Sequence, residues 1–248
     1  MEKEIRIVTS WSNEISPQMK SDFMNVENAV FNGFCTESLF ATKYLNNIYG
    51  PSVLVVAYLN EIPVGADALW RNDIDGRMAY QSADTCVLDS SRGMGVFTKM
   101  VKAKISVIQK DAMIYGFPNV NSFPGFLKMG WIDQKLYKSV TVLGQPRGVG
   151  YIDGSYAKWW LQFQTGISYL KRQGAFYLVR KRKGKPMGTV IGRVDEKIAV
   201  LFPKCSFLLW LKSFSSQALF YNKDKYISLI YAGNSSVMDV PYWKIDAI

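Results

Sequence analysis

The hydrophobic pattern of residues 53–116 changes from the period of a strand to that of a helix and back. Val53–Leu59 is an apolar, β-branched run that indicates a buried strand, and Pro63–Trp70 and Arg77–Leu88 predict two more strands. Apolar residues then recur every three to four positions across 93–110, which predicts an amphipathic helix before a short strand at Ala112–Gly116. Such a strand–helix–strand passage favours a right-handed crossover between parallel strands. We therefore predict an α/β fold with a mixed sheet.

Helices and a further strand are predicted on both sides of this region. Residues 16–34 carry apolar side chains at helical spacing, and Glu37–Asn46 follows as a shorter helix. After the sheet, the sequence predicts a short helix at Asn121–Met129 and a strand at Trp131–Leu143.

The segment 144–154 is the expected domain boundary, because it holds four glycines and one proline. We expect one domain at residues 1–143 and another at residues 155–248. The second domain begins with a predicted aromatic helix, Tyr156–Leu170, and continues with a hairpin, Ala175–Val194.

The two predicted domains share a faint internal repeat. Both 53–69 (VLVVAYLNEIPVGADAL) and 176–192 (FYLVRKRKGKPMGTVIG) read as strand, turn and strand. The second has no glycine-rich turn before a helix, so we expect it to be a degenerate unit without a cofactor loop.

Composition excludes several kinds of catalytic site. The chain has no histidine, which removes a Ser-His-Asp triad, a Cys-His pair and a histidine general base. Cys35, Cys86 and Cys205 are too widely spaced for a zinc site, so no metal is expected, and three free thiols fit a reducing cytoplasm. The N-terminus lacks the apolar region of a signal peptide, and no apolar run is long enough to span a membrane. A cytoplasmic protein without a membrane partner is expected.

The formal charge of +10 fits a phosphate-bearing small molecule, nucleic acid or a membrane surface. Nucleic acid is the less favoured of these partners. Proteins that bind single-stranded nucleic acid combine basic residues with exposed aromatic residues. The aromatic residues here instead recur at the spacing of buried positions in helices and strands.

A glycine-rich turn lies between the third strand and the amphipathic helix, in the segment Val87–Phe97. Glycines allow a tight turn and close approach of a ligand, and the free amides at a helix start bind phosphate. The turn lacks the Gly-Lys-Ser/Thr of a Walker A loop and the third glycine of a dinucleotide fingerprint.

These residues resemble the GNAT acetyltransferase superfamily. Its [Arg/Gln]-x-x-Gly-x-[Gly/Ala] signature is similar to 92–97 except at the last position, where Phe97 replaces a small residue. Downstream, Tyr115–Asn119, Asn121 and Phe126–Trp131 resemble the family's strand, asparagine turn and Tyr-x-Lys-x-Gly-Phe helix end. The resemblance covers residues 1–143, and it implies a GNAT-like fold with a C-terminal GNAT-like or half-GNAT extension.

By resemblance, the chain uses acetyl-coenzyme A as co-substrate. The backbone near Val87 would pair with the pantetheine arm, and strands 77–88 and 112–116 would splay apart to admit the thioester. The other residues implied in coenzyme binding are Arg92, Gly93, Met94, Gly95, Val96, Phe97, Thr98 and Asn121.

The catalytic residues are predicted from chemistry and from strand alternation. The family's usual tyrosine acid is replaced by Phe126, which cannot donate a proton. Alternation along 77–88 predicts one face for four side chains, with Asp84 as general base, directly or through water: Tyr80, Ser82, Asp84 and Cys86. Tyr115 is the candidate general acid.

Three functions follow from these features. The first is N-acetylation of a small amine acceptor, such as an amino sugar or a sugar nucleotide. The second is peptide transfer from aminoacyl-tRNA, since such proteins resemble tandem GNAT domains. The third is a non-catalytic module that binds acyl-coenzyme A or nucleic acid. The sequence leaves a homodimer open.

Overall fold

The computed structural model of the protein divides into two compact units. It describes residues 4–109, 112–142, 145–146, 149–181, 185–205, 210–215 and 226–232. Its strands are β1 (Ile5–Trp11), β2 (Val53–Leu59), β3 (Ile62–Arg71), β4 (Ala79–Val87), β5 (Met113–Gly116), β6 (Ile132–Val142), β7 (Ile167–Arg172), β8 (Ala175–Lys181), β9 (Met187–Val194), β10 (Trp210–Ser215) and β11 (Tyr226–Ala232). Its α-helices are α1 (Pro17–Val30), α2 (Glu37–Phe40), α3 (Val96–Ser106), α4 (Phe123–Lys128), α5 (Gly154–Trp159) and α6 (Glu196–Ala199).

The first unit is built on the strand order β1-β2-β3-β4-β5-β11. Neighbouring strands run antiparallel from β1 to β4, β4 and β5 run parallel, and β11 pairs antiparallel with β5. The parallel pair is joined by α3, so the predicted strand–helix–strand connection and the predicted mixed α/β sheet are confirmed, and its right-handedness stays a prediction.

The two faces of this sheet pack against different helices. Val53 and Val55 of β2 belong to a buried cluster with Met100 of α3. Tyr58, also on β2 but on the alternate side, donates its hydroxyl to Asp22 of α1 at 2.8 Å. Since side chains alternate along a strand, α3 covers one face and α1 covers the other. We call these the α3 face and the α1 face.

Helix α1 ends earlier than its hydrophobic pattern predicts. It begins at a Ser16 cap, whose hydroxyl accepts from the amide of Met19 at 3.2 Å. Beyond Val30, Asn32 and Gly33 both have positive φ, at 56° and 79°, which a right-handed helix does not allow. The chain then enters α2, which continues directly into a π-helical turn at Ala41–Leu45.

Two elements differ from the sequence prediction. Strand β1 was not predicted, because its sequence, IRIVTSW, lacks a clear alternation of apolar and polar residues. The predicted helix Tyr156–Leu170 is wrong in its second half: α5 ends at Trp159, and β7 forms from Ile167. Gly166, with φ of +73°, separates them, and pairing with β8 outweighs the local helical pattern.

The second unit has the strand order β6-β10-β9-β8-β7. Three antiparallel strands, β7 to β9, are followed by α6 and by β10, which runs parallel to β9 and antiparallel to β6. The order β7-β8-β9-α6-β10 of the second unit thus has the same connections as β2-β3-β4-α3-β5 of the first. A degenerate second GNAT-like unit stays a prediction, and α6, at four residues, has no glycine-rich turn before it.

The units differ from the predicted division at 144–154. The first unit runs to Asp133 and also includes residues 229–232, the part of β11 that pairs with β5, while the stretch of β6 that pairs with β10 belongs to the second unit. Among the residues that the structure describes, no helix is long and apolar enough to cross a membrane.

Candidate functional site

The glycine-rich turn leads from the end of β4 into α3. After Val87, the amide of Leu88 donates to the carbonyl of Val64 at 2.8 Å, and a single 3₁₀ turn follows at Asp89–Ser91. Gly93 and Gly95 both have φ of 79°, a conformation that favours glycine, and Gly95 is the N-cap of α3. The predicted turn into a helix is therefore present.

The start of α3 has the features of an anion site. Because the cap is a glycine, it offers no side chain to accept from the amides of the first turn, Val96, Phe97 and Thr98. A Cβ atom built on Gly93 or Gly95 would meet nothing within 4 Å among the described residues, so both glycines border open space. Free amides at the positive end of a helix dipole suit the pyrophosphate of a coenzyme.

Arg92 lies at the mouth of the turn but is not free. Its guanidinium pairs with Asp89 at 2.8 Å, and both side chains are largely exposed. An exposed pair of this kind contributes little free energy, so a phosphate can compete for the guanidinium.

Phe97, the departure from the family signature, packs against α4. Its ring packs edge-on against Phe126 of α4, with ring centroids 5.2 Å apart. A Cβ on Gly125 would lie only 2.6 Å from the Phe97 ring. Gly125 therefore provides the room that a phenylalanine needs at position 97.

Asn121 lies in the loop before α4 with its side chain exposed. The loop is shaped by Asn119, whose side-chain oxygen accepts from the amides of Asn121 and Ser122, each at 3.0 Å. Coenzyme binding by Asn121 stays a prediction.

The pairing of β4 and β5 ends where the resemblance predicts a splay. Their parallel pairing runs from Ala79 opposite Met113 to Ser82 opposite Gly116, where β5 ends. β4 continues to Val87, which pairs with β3 on its other edge through Gly65. The edge of β4 beyond Ser82 is therefore left without its β5 neighbour, as a splay requires, and entry of a thioester at this point stays a prediction.

A β-bulge interrupts β4 in this unpaired stretch. Ala68 of β3 lies opposite Ala83, but Ala66 lies opposite Cys86, so Asp84 and Thr85 together face one residue of β3. Asp84 has φ of 54°, which is unusual for a residue other than glycine.

The bulge makes the predicted shared face wrong. Tyr80 belongs to the α3-face cluster, and Ser82 bonds to Lys104 of α3. Asp84 instead bonds to Lys43 and Tyr44, which follow α2. The extra residue reverses the alternation, so Asp84 lies on the opposite side of the strand from Ser82.

Asp84 is held by two neighbouring side chains of the π-helical turn. The Lys43 ammonium lies 3.0 and 2.9 Å from the two carboxylate oxygens, and the Tyr44 hydroxyl donates to the second. Burial, and then the negative charge of Asp84, raise the pKa of Tyr44, so its hydroxyl stays protonated as a donor. π-Helical turns and strained backbone occur often at functional sites, and here both meet at one carboxylate.

The candidate acid Tyr115 is directed elsewhere. It is fully buried on β5, and its hydroxyl donates to the carbonyl of Asn72 at 3.2 Å. The amide of Asn72 donates to Ala79, the first residue of β4, whereas Asp84 lies near the end of that strand. The hydroxyl of the predicted acid therefore lies near the start of β4, whereas the predicted base lies near the end of that strand.

A second lysine–aspartate pair, which the sequence analysis missed, lies on the α3 face. Lys104 donates to Asp67 of β3, to the carbonyl of Ala68 at 3.2 Å and to the Ser82 hydroxyl at 2.8 Å. The side chains of Lys104 and Asp67 are 0% exposed, and Thr85 donates to Asp67 at 2.6 Å. A signal existed: Lys104 falls four positions after the buried Met100, on the apolar stripe of α3.

Within the described residues, no group of three or more histidine, cysteine, aspartate or glutamate residues could hold a metal ion. The described thiols are all buried, and burial raises the pKa of Cys35 and Cys86, which keeps these thiols protonated.

Comparison with known proteins identifies the fold. No family model and no curated protein sequence matches the chain. A protein from Enterococcus faecalis V583, whose name places it with the N-acyltransferases, matches with a TM-score of 0.59 and 13% identity over 92% of this chain and 72% of its own. A GCN5-related N-acetyltransferase from Kribbella flavida matches with a TM-score of 0.56 and 11% identity over 92% and 71%.

A third structure, a protein from Pyrococcus horikoshii named for an acetyltransferase, matches with a TM-score of 0.52 and 12% identity over 97% of this chain and 94% of its own. At such identities the likeness concerns the fold alone. The chain has the fold of the GCN5-related N-acetyltransferases.

Proposed function

We propose that this chain is an acyl-coenzyme A-dependent N-acetyltransferase of the cytoplasm that acts on a small amine. The observation that carries the proposal is the open glycine turn at the start of α3, next to the unpaired edge of β4. Acetyl-coenzyme A supplies the activated acyl group as a thioester. The amides of Val96–Thr98 would bind its pyrophosphate, and Arg92 would add positive charge.

In this proposal the base for the amine proton is Asp84, directly or through a water molecule. Its side chain is 14% exposed and lies in the unpaired stretch of β4. The hydroxyl of Tyr44 and the ammonium of Lys43 fix the carboxylate in one place. A fixed carboxylate beside the thioester provides the geometry that general base catalysis requires.

The acceptor is proposed to be an amino sugar or a sugar nucleotide. The net charge of +10 supports an acceptor that itself carries phosphate. The second unit would help to bind this acceptor rather than a second coenzyme, since no glycine-rich turn precedes α6.

The proposal is tested by measuring thiol release from acetyl-coenzyme A with a panel of amines, amino sugars and sugar nucleotides. We expect release that depends on one class of amine, an acetylated product by mass spectrometry, and one coenzyme bound per chain by calorimetry. Binding of two coenzymes would contradict the role of the second unit. Release without an acetylated amine would contradict N-acetylation.

A non-catalytic acyl-coenzyme A-binding module is the second candidate. Phe126 favours it, because this residue stands where the family places its acid and is buried against Trp131, with ring centroids 4.7 Å apart. Tight coenzyme binding with no thiol release for any amine would support this candidate instead.

A further inference from the structure

Ser82 lies where β4 and β5 separate. It forms the last pair of the two strands, opposite Gly116, and its side chain is half-buried on the α3 face. From Val87 back to Ser82, β4 runs beside only four steps of β3, from Gly65 to Leu69, because of the bulge, so this stretch covers about 13 Å at roughly 3.3 Å per residue. A pantetheine arm whose phosphates sit at the start of α3 would therefore bring its sulfur to the neighbourhood of Ser82.

The hydrogen bonds of Ser82 fix the direction of its own proton. The Lys104 ammonium has donors only, so the serine oxygen accepts this bond, at 2.8 Å. The hydroxyl hydrogen must then point to a different acceptor, and none of the residues described by the structure accepts it. Ser82 thus has a polarised O–H that is free to donate at the splay.

Lys104 cannot turn away from Ser82. Its nitrogen is fully buried, and its other two bonds go to Asp67 and to the Ala68 carbonyl. Asp67 is in turn fixed by Thr85, while its second oxygen is buried without a partner among the described residues. A buried pair with an unsatisfied oxygen costs stability, which argues for a use beyond packing.

We propose that Ser82 is the proton donor to the coenzyme A sulfur, with Lys104 as the positioning residue that supplies its proton. The inference rests on the proposed function. It assigns the acid role to the α3 face, whereas Asp84 takes the amine proton on the α1 face. The bulge, by reversing the alternation of β4, separates the two roles.

The proton transfers balance. The amine nitrogen bonds to the acyl carbon and the carbon–sulfur bond breaks, leaving the electron pair on sulfur. Sulfur takes the proton of Ser82, and the Ser82 oxygen takes one from the Lys104 ammonium. The proton released by the amine reaches Asp84 or water, and solvent later returns one to Lys104.

The electrostatics of the pair support this direction of transfer. Burial lowers the pKa of Lys104, which makes its ammonium a better acid than an exposed lysine. The neighbouring Asp67 opposes this effect, and burial raises the pKa of that carboxyl. A free cysteine thiol has a pKa of about 8.5 and a free lysine one of about 10.4. A lysine whose pKa is lowered is therefore closer to the pKa of a thiol than an exposed lysine is, and better matched to protonate a thiolate.

The first experiment compares three variants of the full chain in steady-state turnover. We expect Ser82→Ala to lower kcat by about 100-fold, as is usual for a lost general acid, with the KM for acetyl-coenzyme A nearly unchanged. Ser82→Thr keeps the hydroxyl and should recover most of the rate. The matched control is Ser106→Ala, which removes a serine hydroxyl of α3 that donates to the Ala103 carbonyl at 2.7 Å, outside this network, and should leave kcat unchanged.

The second experiment needs no acceptor. Coenzyme A bound to the protein is titrated with base while the ultraviolet absorbance of its thiolate is recorded. If Ser82 donates to sulfur, the bound thiol ionises at lower pH in the wild type than in Ser82→Ala. The charged and titratable groups around this position are Lys104 and Asp67 on the α3 face and Asp84, Lys43 and Tyr44 on the α1 face, and all are retained in this variant.

The outcomes distinguish the two proposals. Equal thiol titration in both proteins, or wild-type kcat in Ser82→Ala, overturns the role of Ser82 and leaves the proposed function intact. Coenzyme binding without turnover overturns the proposed function, and the thiol titration still decides whether Ser82 donates to sulfur. If coenzyme A does not bind at all, both proposals fail.

Discussion

Replacing Gly95 tests the anion site at the start of α3. The residue is the N-cap of the helix and has φ of 79°, a conformation that aspartate and asparagine tolerate better than most residues. Gly95→Asp and Gly95→Asn therefore share shape and backbone strain and differ mainly in charge. A Cβ here meets nothing within 4 Å among the described residues, so the first atom of either side chain has room.

The size of the charge effect follows from the exposure of the site. Gly95 is exposed, so the effective dielectric constant is close to that of water, about 70. One carboxylate about 5 Å from the roughly two charges of a pyrophosphate is repelled by about 2 kcal/mol, which is about 25-fold in the dissociation constant. The asparagine variant lacks this repulsion and should lose affinity only through its side-chain volume and strain.

Isothermal titration calorimetry with coenzyme A measures the difference directly. Circular dichroism and thermal unfolding should show that both variants keep the fold. The gap between the two affinities should narrow as salt is added, because the interaction is exposed. Equal affinities of the two variants at low salt would refute the placement of the pyrophosphate at α3.

Three further predictions concern other parts of the first unit. Asp84→Asn should lower turnover by about two to four orders of magnitude with coenzyme affinity nearly unchanged, measured by thiol release and calorimetry; a wild-type rate would assign the base elsewhere. Lys104→Met should destabilise the protein by about 3–5 kcal/mol in urea unfolding, because it leaves a buried carboxylate unpaired, and adding Asp67→Asn should recover most of this loss. Gly125→Ala should cost about 1–3 kcal/mol through contact with the Phe97 ring, and should become neutral or stabilising with Phe97→Ala; an equal effect in both backgrounds would disprove the contact.

The sequence predicted the local elements of the candidate site well. The strand patterns of 53–88, the helix after Gly95 and the glycines of the turn depend on side chains that are close in sequence, and all are present. Periodicity and the need for positive φ are properties of neighbouring residues, so they can be recognised without knowledge of the fold.

The faces of β4 were predicted wrongly for an equally definite reason. Strict alternation placed Ser82 and Asp84 together, but the bulge inserts one residue between them. A bulge is selected by the pairing of two strands and by what each side chain then meets, here Asp67 from β3 on one face and Lys43 on the other. None of these partners is adjacent in sequence to Asp84.

By itself, the sequence determined the strand patterns of the mixed sheet, the connection into α3 and the glycine turn at which we propose an anion site, because each depends on residues a few positions apart. Only the tertiary structure decided the partners of the two buried lysines. Lys43 reaches Asp84 across 41 positions and Lys104 reaches Asp67 across 37. Such pairs form only after strand register and helix packing have brought distant segments into a water-excluded interior, where a charge without a partner is too costly to keep.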